Sequence, residues 1–264
     1  MNAHAYPRPL VALLTDFGDR DGYVGTMKGV ILSHCPDAQL VDIANHVPPQ
    51  DVDAAAFVLL NSIRNFPPHT VFLCVVDPGV GTGRAILAAR FPCGRRAVAP
   101  DNGLLRYVVA AAEGTRVVTV DPARVADDAS ATFHGRDIMA PLAARLAAGE
   151  ACDTFGAERD AQSVAQPLIP PGRPLTGRQP ARIVYADRFG TLFLDVTHAA
   201  NITAVCAGNV TVDTVVATYA EAPDSAPVLL RGSSGLWEIA VRNGSAADAL
   251  ELGINDSIEV TIGD

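Results

Sequence analysis

The most constraining feature of this chain is a change of hydrophobic rhythm partway along it. Through about residue 150, short apolar runs alternate with stretches of helical spacing. Residues 10–17 (LVALLTDF) read as a buried strand ending in a turn, and residues 23–35 follow with helix-like spacing closed by Pro36. Residues 52–65 form a second helical pattern, stopped by Pro67 and Pro68. Residues 70–76 (TVFLCVV) are a β-branched strand that ends abruptly at Asp77-Pro78-Gly79. Residues 85–90 and 96–99 add further strands. Residues 134–148 predict a long alanine-rich helix that Pro141 either kinks or opens. Strands alternating with helices imply an α/β unit with a mostly parallel sheet covered on both faces.

The rhythm then breaks. Pro167, Pro170, Pro171 and Pro174 fall within eight residues, a stiff connector. Beyond it helical spacing nearly vanishes. Residues 181–185, 191–196, 210–219, 227–230, 237–242 and 257–262 are short β-rich runs separated by Gly, Asn and Asp, which predict a small all-β, barrel-like or sandwich domain. The expected organisation is a flexible N-terminus (1–9), an α/β catalytic domain (10–166), a Pro-rich linker (167–177) and a β-barrel-like C-terminal domain (178–264).

Composition narrows the function classes. Twenty Lys and Arg against 29 Asp and Glu give a net charge of −9, which argues against a nucleic-acid binder working through bulk positive charge. No run approaches the roughly 18 apolar residues of a membrane helix, and the opening MNAHAYPRP has neither a basic start nor an apolar h-region, so a cytoplasmic protein without a membrane partner is expected. The cysteines at 35, 74, 93, 152 and 206 are odd in number and include no C-x-x-C pair, which argues against a disulfide framework or a zinc knuckle.

In a parallel α/β sheet, function collects at the C-terminal ends of the strands. Three polar clusters stand at such places: Thr15-Asp16-Phe17-Gly18, the run DPGVGTGR at 77–84, and TFHGRD at 132–137. Taken singly, each has a bland reading as a turn former or helix cap. The glycines at 79, 81 and 83 lack both the G-x-G-x-x-G and the P-loop pattern, and Asp19-Arg20-Asp21-Gly22 lacks the spacing and terminal Glu of a calcium loop. Gly232-Ser233-Ser234-Gly235 is not the G-x-S-x-G of a serine hydrolase.

Together with PDNGLL at 100–105, ADRFGT at 186–191 and GSSGLWEIAVRNGSA at 232–246, these motifs occur in the order seen in one family. From about residue 10 to residue 262 the chain resembles the S-adenosyl-L-methionine (SAM) hydrolases that form adenosine, also called SAM hydroxide adenosyltransferases, relatives of the fluorinating and chlorinating SAM enzymes. The resemblance implies hydrolysis of SAM to adenosine and L-methionine. It also implies no cofactor, no metal, and a homotrimer with SAM bound where one subunit's N-terminal domain meets its neighbour's C-terminal domain. It places the family's catalytic Asp, Arg and His on Asp77, Arg84 and His134, and the ribose-holding carboxylate on Asp16. Asp187, Thr191, Tyr219, Ser233, Glu238, Val241 and Asn243 fall on positions that hold the methionine and adenine ends. The chain departs from the family pattern at Thr191, where Asn is usual, and at Ser234-Gly235, where some relatives carry larger polar residues. Two other readings share the fold: a SAM-dependent halogenase, and a non-catalytic SAM or adenosine sensor. Asp77 and His134, where halogenating relatives have tyrosines, favour hydroxide over halide, and their joint presence with Arg84 favours an enzyme.

Overall fold

The computed structural model describes residues 8–172, 174 and 176–263. Of the expected flexible terminus, residues 1–7 lie outside the described ones, as do Arg173 and Leu175 of the expected connector. The chain divides into two compact units between Pro167 and Leu168.

The first unit is built on seven strands: β1 (Leu10–Thr15), β2 (Gln39–Ala44), β3 (Val71–Val75), β4 (Ile86–Arg90), β5 (Arg96–Pro100), β6 (Arg116–Val120) and β7 (Gly156–Arg159), in the order β2-β1-β3-β5-β4-β6-β7. The sheet is mixed, not mostly parallel. β2, β1, β3 and β5 run parallel, whereas β4, β6 and β7 are added by antiparallel pairing. The reason is a connection of five residues between β4 and β5, closed by the Phe91 N–H on the Arg95 carbonyl and a left-handed Gly94. A parallel crossover needs a dozen or more residues, so this link can only make a hairpin.

The helices are α1 (Tyr23–His34), α2 (Val52–Ile63), α3 (Arg106–Ala110) and α4 (Ala140–Ala147). Asp51 caps α2 by accepting the Ala54 N–H at 2.8 Å. Met27 and Ile31 of α1 and Leu142 and Leu146 of α4 share one core with Val11 and Leu13 of β1 and Val71, Leu73 and Val75 of β3. The intervening residues Ala12, Leu14, Phe72 and Cys74 are equally buried, as the two-residue period of a doubly covered strand requires. The single helix expected over 134–148 is divided: a π-helical turn, Gly135–Met139, leads into α4, with Pro141 in the first turn of α4. Its ring keeps φ in the helical range, while its missing N–H leaves one gap in the ladder that runs from the π-helical turn into α4.

The second unit consists of β8 (Gly177–Ala186), β9 (Leu192–Thr197), β10 (Asn201–Ala207), β11 (Val210–Val212), β12 (Pro227–Arg231), β13 (Leu236–Val241) and β14 (Ser257–Gly263), with the short helix α5 (Ala246–Leu250). The sheet order is β11-β10-β14-β8-β9-β13-β12, every pairing antiparallel. The run expected as one strand over 210–219 stops at Val212. The chain then bridges to the far edge, where Leu229 of β12 donates to the Thr214 carbonyl and accepts from Val216, each at 2.9 Å, so the sheet nearly closes into a barrel. Trp237, Ile239 and Leu229 fill its interior, and the Trp237 indole N–H donates to the Ala200 carbonyl at 2.9 Å.

Candidate active site

β1 and β3 are parallel neighbours in register from Val11 with Val71 to Thr15 with Val75, so the residues just beyond them emerge side by side. This places Asp16 and Asp77 at one edge. Asp16 Oδ2 accepts the Gln50 N–H at 2.8 Å, a contact made from a left-handed backbone at Gln50 (φ 66°). Asp77 Oδ1 accepts the Gly79 N–H at 3.2 Å, and its Oδ2 is ion-paired with Arg84 Nη2. Arg84 Nη1 in turn donates to the Ala85 carbonyl.

The loop before the π-helical turn completes the arrangement. Gly81, with φ 79°, lets the 77–84 turn lie against this loop; a Cβ there would come 2.5 Å from the Ala131 carbonyl oxygen. Asp137 accepts the Ser130 N–H at 3.0 Å and is paired with Arg136, which keeps its carboxyl below the ordinary range. His134 starts the turn. Asp16, Asp77 and His134 line a single cavity of about 430 Å³. Phe17, Tyr23 and Phe133 form another part of its wall, with ring centroids 5.3–5.8 Å apart.

Arg84 is not on the wall. It lies behind Asp77, and both side chains are under 10% exposed. Burial pushes the Asp77 carboxyl above its ordinary value, opposed by the Arg84 charge, the Gly79 N–H and His134. His134 Nδ1 and Arg84 Nε are buried without a protein hydrogen-bond partner. A buried polar atom in that state costs about 1–3 kcal/mol; of the two residues, only His134 also lines the cavity, where a bound molecule can meet it.

The second unit has its own cavity, of about 710 Å³, lined in part by Asp187, Thr191, Tyr219, Val241 and Asn243. Asp187 Oδ1 accepts the N–H groups of Phe189 and Thr191, both at 2.9 Å, which folds the ADRFGT turn around it. Asn243 has φ 56°, a conformation that asparagine tolerates better than most residues. Ser233 and Glu238, the other two residues expected to hold substrate, do not line this cavity. Phe17, Tyr23, Gln50 and Phe133 were missed by sequence reasoning; for Phe17 and Phe133 the available signal was their adjacency to Asp16 and His134.

Among the described residues, no helix is long and apolar enough to cross a membrane, and no group of three or more His, Cys, Asp or Glu is placed to hold a metal ion.

Asp77 just beyond the parallel strand β3, paired with Arg84, and His134 at the start of the π-helical turn belong to a chain of two units, a mixed-sheet α/β unit and an antiparallel barrel-like one. The models of the SAM hydroxide adenosyltransferase N-terminal and C-terminal domains match residues 11–156 and 181–259, and the chain belongs to this family. It is 38% identical to the (R)-S-adenosyl-L-methionine hydrolase of Thermus thermophilus, over 92% of this chain and 95% of that protein. A fluorinase of Nocardia brasiliensis is 30% identical over 56% of this chain and 57% of its own. A crystal structure of a conserved protein from Thermotoga maritima superposes with a TM-score of 0.85 at 30% identity, covering 95% of this chain and 99% of that one.

Proposed function

We infer that this chain hydrolyses SAM to adenosine and L-methionine by attack of water at the ribose C5′. The observation that carries the reading is the cavity shared by Asp77 and His134, with Arg84 behind Asp77 and Asp16 beside it, in a member of this family. The sulfonium is a good leaving group, so no acid is needed on that side. The weak partner is water. His134 or the Asp77 carboxylate accepts the water's proton, the oxygen bonds to C5′, and the C5′–S pair passes to sulfur, which leaves as the neutral thioether of methionine. Arg84 acts through Asp77: as a permanent cation it holds the carboxylate ionised and aimed. SAM is consumed as substrate, and the scheme calls for no cofactor.

The working form in this reading is a homotrimer in the cytoplasm. The first unit of one copy supplies Asp16, Asp77 and His134, and the second unit of a neighbour supplies Asp187, Thr191, Tyr219, Val241 and Asn243. What supports this is that each cavity carries only part of the expected set, and that all five cysteines are free thiols. The test is incubation of purified protein with SAM and a chelator, with products followed by liquid chromatography and mass by light scattering. Equal amounts of adenosine and methionine are expected from a particle near three times 27.6 kDa. Activity that returns only with a divalent ion, or a fully active monomer, would contradict the respective part.

Asp16→Ala should weaken SAM binding more than it slows the chemical step, because a ribose-holding carboxylate makes the same bonds in ground and transition states. With Asp16 Oδ2 shared with the Gln50 N–H, one charge-assisted bond of about 1.5–3 kcal/mol corresponds to roughly 10- to 150-fold in affinity. Calorimetric titration showing unchanged affinity would remove Asp16 from the site.

A further inference from the structure

Glu238 is 2% exposed, yet it does not face the barrel interior. Its strand neighbours Trp237 and Ile239 point inward, while Glu238 and Ala240 share the outer face, where Val216 and Ala222 of the 213–226 segment pack against Val228 and Leu230. There the Glu238 carboxylate accepts the Tyr219 hydroxyl at 2.7 Å. Tyr219 itself is half exposed and lines the cavity of the second unit, which Glu238 does not. The turn carrying Tyr219 is also held by Arg242, whose Nη1 donates to the Ala220 and Ala222 carbonyls at 3.2 and 3.4 Å. Room for the carboxylate comes from Gly232, where a Cβ would stand 1.6 Å from Glu238 Oε1.

We propose that Glu238 is a positioning residue rather than a substrate contact: its buried carboxylate fixes the Tyr219 hydroxyl so that the ring stays as a wall of the cavity against the planar base of the substrate. The charged neighbours agree with this role. Burial pushes the Glu238 carboxyl above the ordinary carboxylate range, opposed by the Tyr219 hydroxyl bond and by nearby His198 and reinforced by the like charge of Asp187. A group so desolvated is suited to hold a hydroxyl and poorly placed to meet a ligand cation directly. The proposal rests on the reading that this cavity takes the nucleoside end of SAM.

The test compares KM and kcat for SAM, and separately the Kd for adenosine, in the full chain and five variants. Glu238→Ala, Tyr219→Phe and Gly232→Ala should each raise KM and Kd by about tenfold, the loss of a hydrogen bond to a charged group, with kcat within about twofold because the reacting groups belong to the first unit. Glu238→Gln keeps an acceptor and should recover most of what Glu238→Ala loses. The double variant Glu238→Ala/Tyr219→Phe should bind no more weakly than either single one. Glu238→Gln and Gly232→Ala carry the test if Glu238→Ala fails to fold. If Glu238→Gln is as weak as Glu238→Ala and the single effects multiply, Glu238 acts on the ligand by its own charge and the proposal is overturned; equal adenosine affinity in all variants overturns it as well. A wild type that binds adenosine with this pattern but leaves SAM intact keeps the proposal and removes the hydrolase reading, whereas one that binds no adenosine overturns both.

Discussion

Arg84→Met should lower kcat for SAM by about 10²–10³-fold, the usual cost of removing one preorganised electrostatic group from a site. The Arg84 and Asp77 side chains are 8% and 6% exposed, so the pair has little water to fall back on. Breaking a buried pair by deleting one member costs about 3–5 kcal/mol of stability, which thermal unfolding will show as a lowered Tm. The pH profile separates the chemical effect from the structural one. Burial already raises the Asp77 carboxyl, and Arg84 is the largest influence opposing it. In the proposed reaction the carboxylate acts in its ionised form, so activity is expected to fall as pH drops through the raised value. Without Arg84 the charged form is penalised further, and the acid limb of kcat must move to higher pH. Arg84→Lys keeps the charge without the planar fork that spans Asp77 and the Ala85 carbonyl, and should fall between the two. A wild-type rate and an unmoved acid limb in Arg84→Met would end the role given to this pair.

That pair also marks the limit of what residue order alone can convey. The DPGVGTGR run announces a turn at the end of a strand, and its Asp and Arg are seven residues apart with glycines between, enough to suggest that they meet. Which of them faces the cavity depends on how the turn folds back. In the folded turn Gly81 lies against the Ala131 carbonyl, Asp77 lines the cavity, and Arg84 is paired with it and 8% exposed.

Strand legibility followed burial. β1 up to Leu14 and the whole of β3 are apolar because both faces are covered, and such runs stand out. β2 and β7 are edge strands whose side chains are largely exposed or half-buried, so QLVDIA and GAER carry no apolar alternation to read. The antiparallel half of the first sheet was encoded in a short connection, 91–95, rather than in either strand. In the barrel the difficulty is parity. A strand residue points in or out according to its register, and moving by one position reverses its face. The resemblance expects Glu238 to hold substrate, whereas the register of β13 against β9 and β12 turns its side chain to the outer face, where its carboxylate accepts the Tyr219 hydroxyl. Phe17, Tyr23 and Phe133 come from three separate segments, and nothing local in any of them announces that their rings will converge.

The identity of the nucleophile separates the hydrolase from its halide-transferring relatives, and the expected outcome is all or none. In H₂¹⁸O, single-turnover adenosine should carry one ¹⁸O at O5′ and the methionine none, because oxygen bonds to C5′ while sulfur leaves unoxidised; mass spectrometry of the two products reads this directly. No 5′-halo-5′-deoxyadenosine should accumulate at physiological chloride. The reason lies in the sign of the charge that faces the cavity: water donates a hydrogen bond to the Asp77 carboxylate, whereas a desolvated anion is repelled by it, and the balancing guanidinium of Arg84 is spent on Asp77 from behind. The same argument fixes what Asp77→Asn must do. With the carboxylate neutralised, the guanidinium charge of Arg84 is unopposed beside the cavity. Hydrolysis should drop by about 10²-fold or more, and chloride, without effect on the wild type, should become an inhibitor competitive with SAM. Unlabelled adenosine, or a dominant 5′-halo product from the wild type, would mean that the anion-repelling role of Asp77 is wrong and that the cavity is built for halide.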